Sequence, residues 1–219
     1  MSVLGEIQTI IKNNYVPHGS SVKEAQLIAV SKLQSVEKVR ALYNQGQKVF
    51  GENYVQEALL KKSSLDSDIQ WHFIGSLQKN KVKQIIGQFT LIHSVDSMEL
   101  AALLSQKAKE NQITQKILLQ VNAAGEVTKH GFEPDVLLQQ FSQIKQLPNL
   151  EIRGLMTMPP LGMDGEVARP HFRRLRELRD QLGVVELSMG TSHDFKVALA
   201  EGATLIRLGT ILFGERSPK

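Results

Sequence analysis

The sequence predicts an α/β chain folded as a (β/α)8 TIM-type barrel with an additional N-terminal helix, and three observations carry that prediction. Short apolar runs, often β-branched, recur along the whole of the 219 residues. Each is followed by a longer segment whose apolar residues fall at helical spacing, the pattern of parallel strands joined by helical crossovers. The runs number eight, which favours closure into a barrel over an open, doubly wound sheet.

Taken in order, residues 1–15 carry Val3, Leu4, Ile7, Ile10 and Ile11 on one side of an amphipathic helix, with Glu6 and Lys12 elsewhere. The segment lacks the basic start and apolar run of a signal peptide, and no uninterrupted hydrophobic stretch is long enough to cross a bilayer. Strands are expected at 26–31, 48–51, 70–74, 90–94, 116–121, 151–156, 184–188 and 204–208. Helical patterns occupy 36–45, 97–111, 134–146, 170–182 and 194–201. Asp96 and Ser97 offer polar caps for the helix of Leu100, Leu103 and Leu104, and Asp194 does so before Phe195 and Leu199. No Pro/Gly/Ser-rich linker interrupts this rhythm, so residues 1–219 are expected to form one domain.

Composition narrows the function classes. With no cysteine there is no disulfide, no thiol nucleophile and no Cys-type zinc site, which suits a cytoplasmic protein. The net charge of +4, from 26 Lys and Arg against 22 Asp and Glu, is a small excess on a mixed surface. Lys79, Lys81 and Lys83 form one basic run; Arg169, Arg173, Arg174, Arg176 and Arg179 form another. Neither is interleaved with stacking aromatics, and the second alternates with Phe172, Leu175, Leu178 and Leu182 at helical spacing. A solvated helix face is the expectation, with neither a nucleic acid nor a membrane as partner.

In a closed parallel barrel, function gathers where the strands end and the βα loops begin. The first strand ends in Ser31-Lys32, after the apolar Leu27-Ile28-Ala29-Val30. A lysine pointing into a dry interior favours its neutral, nucleophilic amine, which is what carbonyl capture requires. By itself, Lys32 reads first as a strand-end lysine that snorkels to water. The seventh strand ends in Ser188-Met189-Gly190-Thr191-Ser192 and the eighth in Arg207-Leu208-Gly209-Thr210. Each Gly beside Ser or Thr is a common turn, but together, after the seventh and eighth strands, they favour a phosphate, with the helix starting near Asp194 adding its positive end. Arg207 could pair with a buried carboxylate or face a ligand. Were that ligand pyridoxal phosphate, a cation at the pyridine nitrogen would keep it unprotonated and weaken the ring as an electron sink.

His72 and His93 fall on strands, and His130 and His193 fall in or beside loops. No pair has metal-ligand spacing in a carboxylate-rich setting, so core or surface roles are expected and no metal.

Several stretches together resemble the pyridoxal phosphate homeostasis protein family, itself similar to the barrel domain of alanine racemase. They are Ala29-Val30-Ser31-Lys32, Phe50-Gly51-Glu52-Asn53-Tyr54-Val55-Gln56-Glu57 and Trp71 through Lys81. Val121-Asn122, Gly154 through Met158, Leu187 through Gly190, Ser192, Asp194-Phe195, Arg207 through Thr210 and Phe213-Gly214 continue the match. The resemblance implies that Lys32 forms the Schiff base with pyridoxal 5′-phosphate and that Arg207 approaches the pyridine ring. It further implies that Gly190, Ser192, Gly209 and Thr210 hold the phosphate, with Asn53 lining the pocket near the lysine. Thr191 departs from the pattern, since family members commonly have methionine between that glycine and serine.

The resemblance also implies a role in vitamin B6 and amino-acid balance without established catalysis, with pyridoxal phosphate-dependent apo-enzymes as partners in cofactor exchange. Racemisation on this barrel needs a second acid/base, a tyrosine from an added domain of a partner subunit. The sequence ends five residues past Gly214, so neither that domain nor a shared site is expected, and a monomer is. Of Tyr15, Tyr43 and Tyr54, only Tyr54 lies near a strand end. Three readings compete: a carrier holding the cofactor reversibly, a racemase or decarboxylase using the same lysine, and a phosphosugar enzyme with Lys32 on a sugar carbonyl.

Overall fold

Eight parallel strands close on themselves in chain order. They are β1 (Gln26–Val30), β2 (Val49–Glu52), β3 (Gln70–Phe73), β4 (Leu91–Val95), β5 (Gln115–Gln120), β6 (Leu150–Met156), β7 (Glu186–Ser188) and β8 (Leu205–Leu208). The seam is sound: β8 pairs with β1 from Gln26↔Leu205 through Ala29↔Leu208. The computed structural model describes residues 2–125, 130–159 and 165–214; Met1 of the expected N-terminal helix and 215–219 of the expected domain lie outside them.

Nine helices stand among the described residues. They are α1 (Val3–Asn14), α2 (Val36–Asn44), α3 (Val55–Ser64), α4 (Val82–Ile85), α5 (Met98–Glu110), α6 (Pro134–Lys145), α7 (Arg169–Leu182), α8 (Phe195–Ala200) and α9 (Thr210–Phe213). Their starts follow from the sequence. Ser2, Ser35 and Ser97 each accept a hydrogen bond from a first-turn amide, and Pro134 occupies the first turn of α6, where its missing N–H costs nothing. α7 stops at Gly183, whose φ of +65° suits glycine. None of these helices is long and apolar enough to cross a membrane.

Two expectations change. Asp194 stands at the N-cap of α8 but makes no capping bond; its carboxylate turns back to Thr191 instead. On α7, Arg179 is buried rather than solvated, its guanidinium closed off by Asp180 and the His18 carbonyl, while Arg169, Arg173 and Arg176 converge on Glu201.

Alternation along the strands divides the core in two. Ile28, Val49, Leu91, Leu118, Met156 and Leu205 form an apolar cluster apart from the main core, inside the barrel. The other strand face and the inner faces of the helices make the larger core, with Phe50, Phe73, Leu104, Leu119 and Phe172 essentially inaccessible to solvent. Each such side chain stabilises the fold by about 1.5–3 kcal/mol. The barrel is therefore plugged toward its N-terminal end, and anything polar inside it must sit nearer the C-terminal mouth.

Candidate functional site

The residues two places beyond that plug share its inward face. Leu91 leads to His93 on β4 and Leu205 to Arg207 on β8, so a polar layer lies directly above the apolar one. His72 of β3 and Ser188 of β7 complete it. Arg207 Nη1 donates to Ser188 Oγ at 2.5 Å and Nη2 to the Thr157 carbonyl at 2.9 Å. His93 lies between Ser188 Oγ (2.8 Å from Nδ1) and His72 (3.0 Å from Nε2 to Nδ1).

Burial governs the charges in this layer. It pulls His72 down to about 4 and His93 well below the ordinary histidine range, the latter helped by His72 and the Arg207 cation. Both rings are neutral at physiological pH. Burial also brings the Arg207 guanidinium down to about 10, opposed by the charge of Asp194. The acceptors of its hydrogen bonds, Ser188 Oγ and the Thr157 carbonyl, are neutral, and Asp194 acts on it through its charge alone.

Lys32 follows β1 by two residues and is half-buried. The backbone around it is held from behind by side chains that sequence reasoning missed. Ser31 Oγ donates to Glu52 Oε1 at 2.6 Å, and Lys61 Nζ donates to the Ser31 carbonyl at 2.6 Å and to Glu52 at 2.7 Å. The same ammonium reaches Glu57 Oε1 at 2.6 Å, which also accepts from the Leu33 amide at 2.6 Å. Leu33 has a φ of +61°, costly for a branched side chain, and this clamp holds it there. Burial pushes the Glu52 carboxyl up, against Lys61 and Ser31 which pull it down. In the sequence, Glu57 and Lys61 look like an ordinary surface pair at i,i+4. Leu60, 65% exposed between them and the buried Ala58, further disguises the inner face of α3.

Barrel closure makes neighbours of loops that lie far apart in sequence. The Arg207 amide donates to the Gly190 carbonyl at 3.1 Å, which joins the loop after β7 to strand β8. Gly190 has a φ of +93°, and a Cβ there would come within 2.7 Å of Ala198 Cβ, so only glycine fits. Gly209 lies against the end of β1, where a Cβ would approach the Val30 carbonyl at 3.3 Å. Lys32, Gly209-Thr210 and Gly190 through Ser192 thus occupy three adjoining strand ends, and Asn53, after β2, a fourth. Ser192 is half-buried and Thr210 exposed. Thr191 has its own explanation: its amide and hydroxyl both donate to Asp194 Oδ1, at 2.6 and 3.0 Å, tying the loop to the start of α8.

A cavity of about 250 Å3 opens at the mouth, lined by Asn53, Ile74, Ser76, Gln120, Asn122, Met156 and Met158 among others. Asn53 also borders a cleft of about 410 Å3 with Tyr54 and Lys81. Its Oδ1 is buried without a hydrogen-bond partner, an acceptor turned away from both protein and water. Tyr15 donates to the Val22 carbonyl and Tyr43 to Asp68, which leaves Tyr54, 52% exposed, as the tyrosine at the rim. Among the described residues, no three His, Asp or Glu side chains are grouped to hold a metal.

Residues 9–217 match the family model described as alanine racemase, N-terminal domain. The chain is 50% identical over 199 residues to the pyridoxal phosphate homeostasis protein of Aquifex aeolicus, spanning 88% of this chain and 87% of that one. It superposes on PipY of Synechococcus elongatus, solved with PLP bound, with a TM-score of 0.86, 37% identity and coverage of 97% and 98% of the two chains. Alanine racemase of Clostridium difficile shares the fold, with a TM-score of 0.75 at 15% identity over 99% of this chain and 57% of that one.

Proposed function

This chain belongs to the alanine racemase N-terminal domain family and, within it, to the pyridoxal phosphate homeostasis proteins; from that premise we propose that it binds pyridoxal 5′-phosphate reversibly and serves intracellular vitamin B6 and amino-acid homeostasis without sustained catalysis. One observation carries the reading: a fully buried guanidinium, Arg207, lies beside the mouth with only neutral acceptors, so its positive charge is available to a ligand. The unpartnered Asn53 Oδ1 at the same mouth fits a ligand that brings hydrogen-bonding groups of its own.

Bound pyridoxal phosphate supplies an aldehyde for a lysine amine and a ring able to withdraw electrons. Lys32 is the residue for the Schiff base, its backbone fixed by Glu52, Glu57 and Lys61. Gly190, Ser192, Gly209 and Thr210 would supply close-approaching backbone and hydroxyl donors to the phosphate, and Asn53 would line the pocket near the lysine. Arg207, if it faces the pyridine nitrogen, would disfavour a proton there and so make the bound ring a weaker electron sink. Among the tyrosines of this chain, Tyr54, at the N-cap position of α3 on the exposed rim, is the one nearest a strand end. The cysteine-free composition fits a cytoplasmic setting, and one barrel, working as a monomer that trades its cofactor with apo-enzymes, is sufficient for this role.

Borohydride reduction of the protein incubated with pyridoxal phosphate, followed by peptide mass mapping, should label Lys32, and Lys32→Ala should lose both label and yellow colour. A wild type that takes up no pyridoxal phosphate overturns the proposal. Exchange of amino-acid α-protons in deuterated water separates carrier from enzyme: sustained turnover would establish the racemase or decarboxylase alternative instead.

A further inference from the structure

We propose that Ser188, His93 and His72 are positioning residues for Arg207, forming a one-way hydrogen-bond relay across the barrel that fixes the guanidinium toward the mouth without neutralising it. The inference rests on the reading that Arg207 faces the cofactor ring, and it adds residues that this reading does not require.

Direction follows from the inventory of donors and acceptors. A guanidinium only donates, so Ser188 Oγ accepts from Arg207 at 2.5 Å. The Ser188 hydroxyl has one proton of its own, and among the described residues its only other neighbour is His93 Nδ1 at 2.8 Å. It therefore donates to that nitrogen. His93 must then carry its proton on Nε2, which donates to His72 Nδ1 at 3.0 Å, and His72 in turn carries its proton on Nε2. The opposite direction would place two donors on the serine oxygen and strand the hydroxyl proton in a site from which water is excluded: Ser188 and His93 have no exposed surface and His72 only 3%.

Each link polarises the next in the same sense, away from Arg207, so the chain stabilises a cation at its head without adding an anion. A carboxylate at Ser188 or His93 would hold the arginine more tightly and cancel the charge that the mouth offers. With the Thr157 carbonyl on Nη2, the relay engages two of the five N–H groups of the guanidinium and so sets its plane.

Long-range 1H–15N NMR on the cofactor-free protein at neutral pH reads this directly. The expected result is the neutral Nε2–H tautomer for both His93 and His72. An Nδ1–H tautomer or a cation at His93 overturns the relay, whether or not the protein binds pyridoxal phosphate. Titration with the cofactor supplies the second readout. Ser188→Ala is expected to weaken binding about tenfold, the loss of roughly one hydrogen bond at a charged group. Its absorbance should shift while borohydride still labels Lys32, and Ser188→Thr, which keeps the hydroxyl, should restore both. Unchanged affinity and spectrum in a folded Ser188→Ala protein also overturn the positioning role; if that variant does not fold, the wild-type tautomers decide. Absence of uptake by the wild type counts against the cofactor reading alone.

Discussion

Lys61 and Arg207 are both cations with only 3% and 4% of their surface exposed, yet their surroundings are opposite. Lys61 lies between the sheet and α3 against two carboxylates and a carbonyl. Arg207 lies inside the barrel against a serine hydroxyl, a carbonyl and, beyond them, two neutral imidazoles. Desolvating a charge is costly in either place, and only the first repays the cost within the fold. The difference separates a clamp from a candidate site: the paired cation stabilises the chain that presents Lys32, whereas the other, under the proposed function, keeps its charge for a ligand.

The largest effect should come from breaking the clamp. Lys61→Met leaves Glu52 and Glu57 without their counter-charge and is expected to lower stability by about 3–5 kcal/mol, read from the urea midpoint. Glu52→Gln in the same background should return part of that loss. A loss below about 1 kcal/mol would mean the network does not hold the fold.

A smaller effect belongs to the imidazoles. His72 is held near 4 in the folded chain against 6.5 when exposed, so below about pH 6.5 the unfolded chain binds the extra proton and the folded one does not. Stability from this group is fully present above that range and falls as the pH drops toward 4. From pH 7 to 5 the expected loss is about 2 kcal/mol, and His72→Gln should flatten that part of the urea-midpoint profile. An identical profile in the variant would show that His72 titrates normally.

Arg207→Met is the smallest in stability and the sharpest in contrast. Replacing a buried cation that has no ion-pair partner among the described residues with an apolar chain of similar length should change stability by no more than about 1 kcal/mol, while pyridoxal phosphate uptake weakens. Destabilisation on the scale of Lys61→Met would erase the distinction between the two cations.

Much of this was legible in the sequence for a reason visible in particular residues. The strand expected at 26–31 and the β1 found at Gln26–Val30 agree because Leu27 through Val30 can be satisfied only by burial on both faces. Gly190, Ser192, Gly209 and Thr210 were recognisable as rim residues because parallel strands fix which end carries the loops. α3 and its Lys61 were not, since a Glu-Lys pair four residues apart has the same appearance on a solvated helix as in a buried clamp. Nor was the relay: a histidine on a strand reads as core or ligand until the residue opposite it is known. His93 and Ser188 lie 95 positions apart.

The sequence by itself determined the alternation of strand and helix, the polar rim and Lys32 as the nucleophile candidate, because periodicity and residue chemistry are local properties. The tertiary structure alone decided that β8 returns to β1, which brings Gly209 against Val30 and Arg207 beneath the mouth. It also decided which cations are paired. Charge compensation depends on distances between segments distant in sequence, and those are fixed only when the barrel closes.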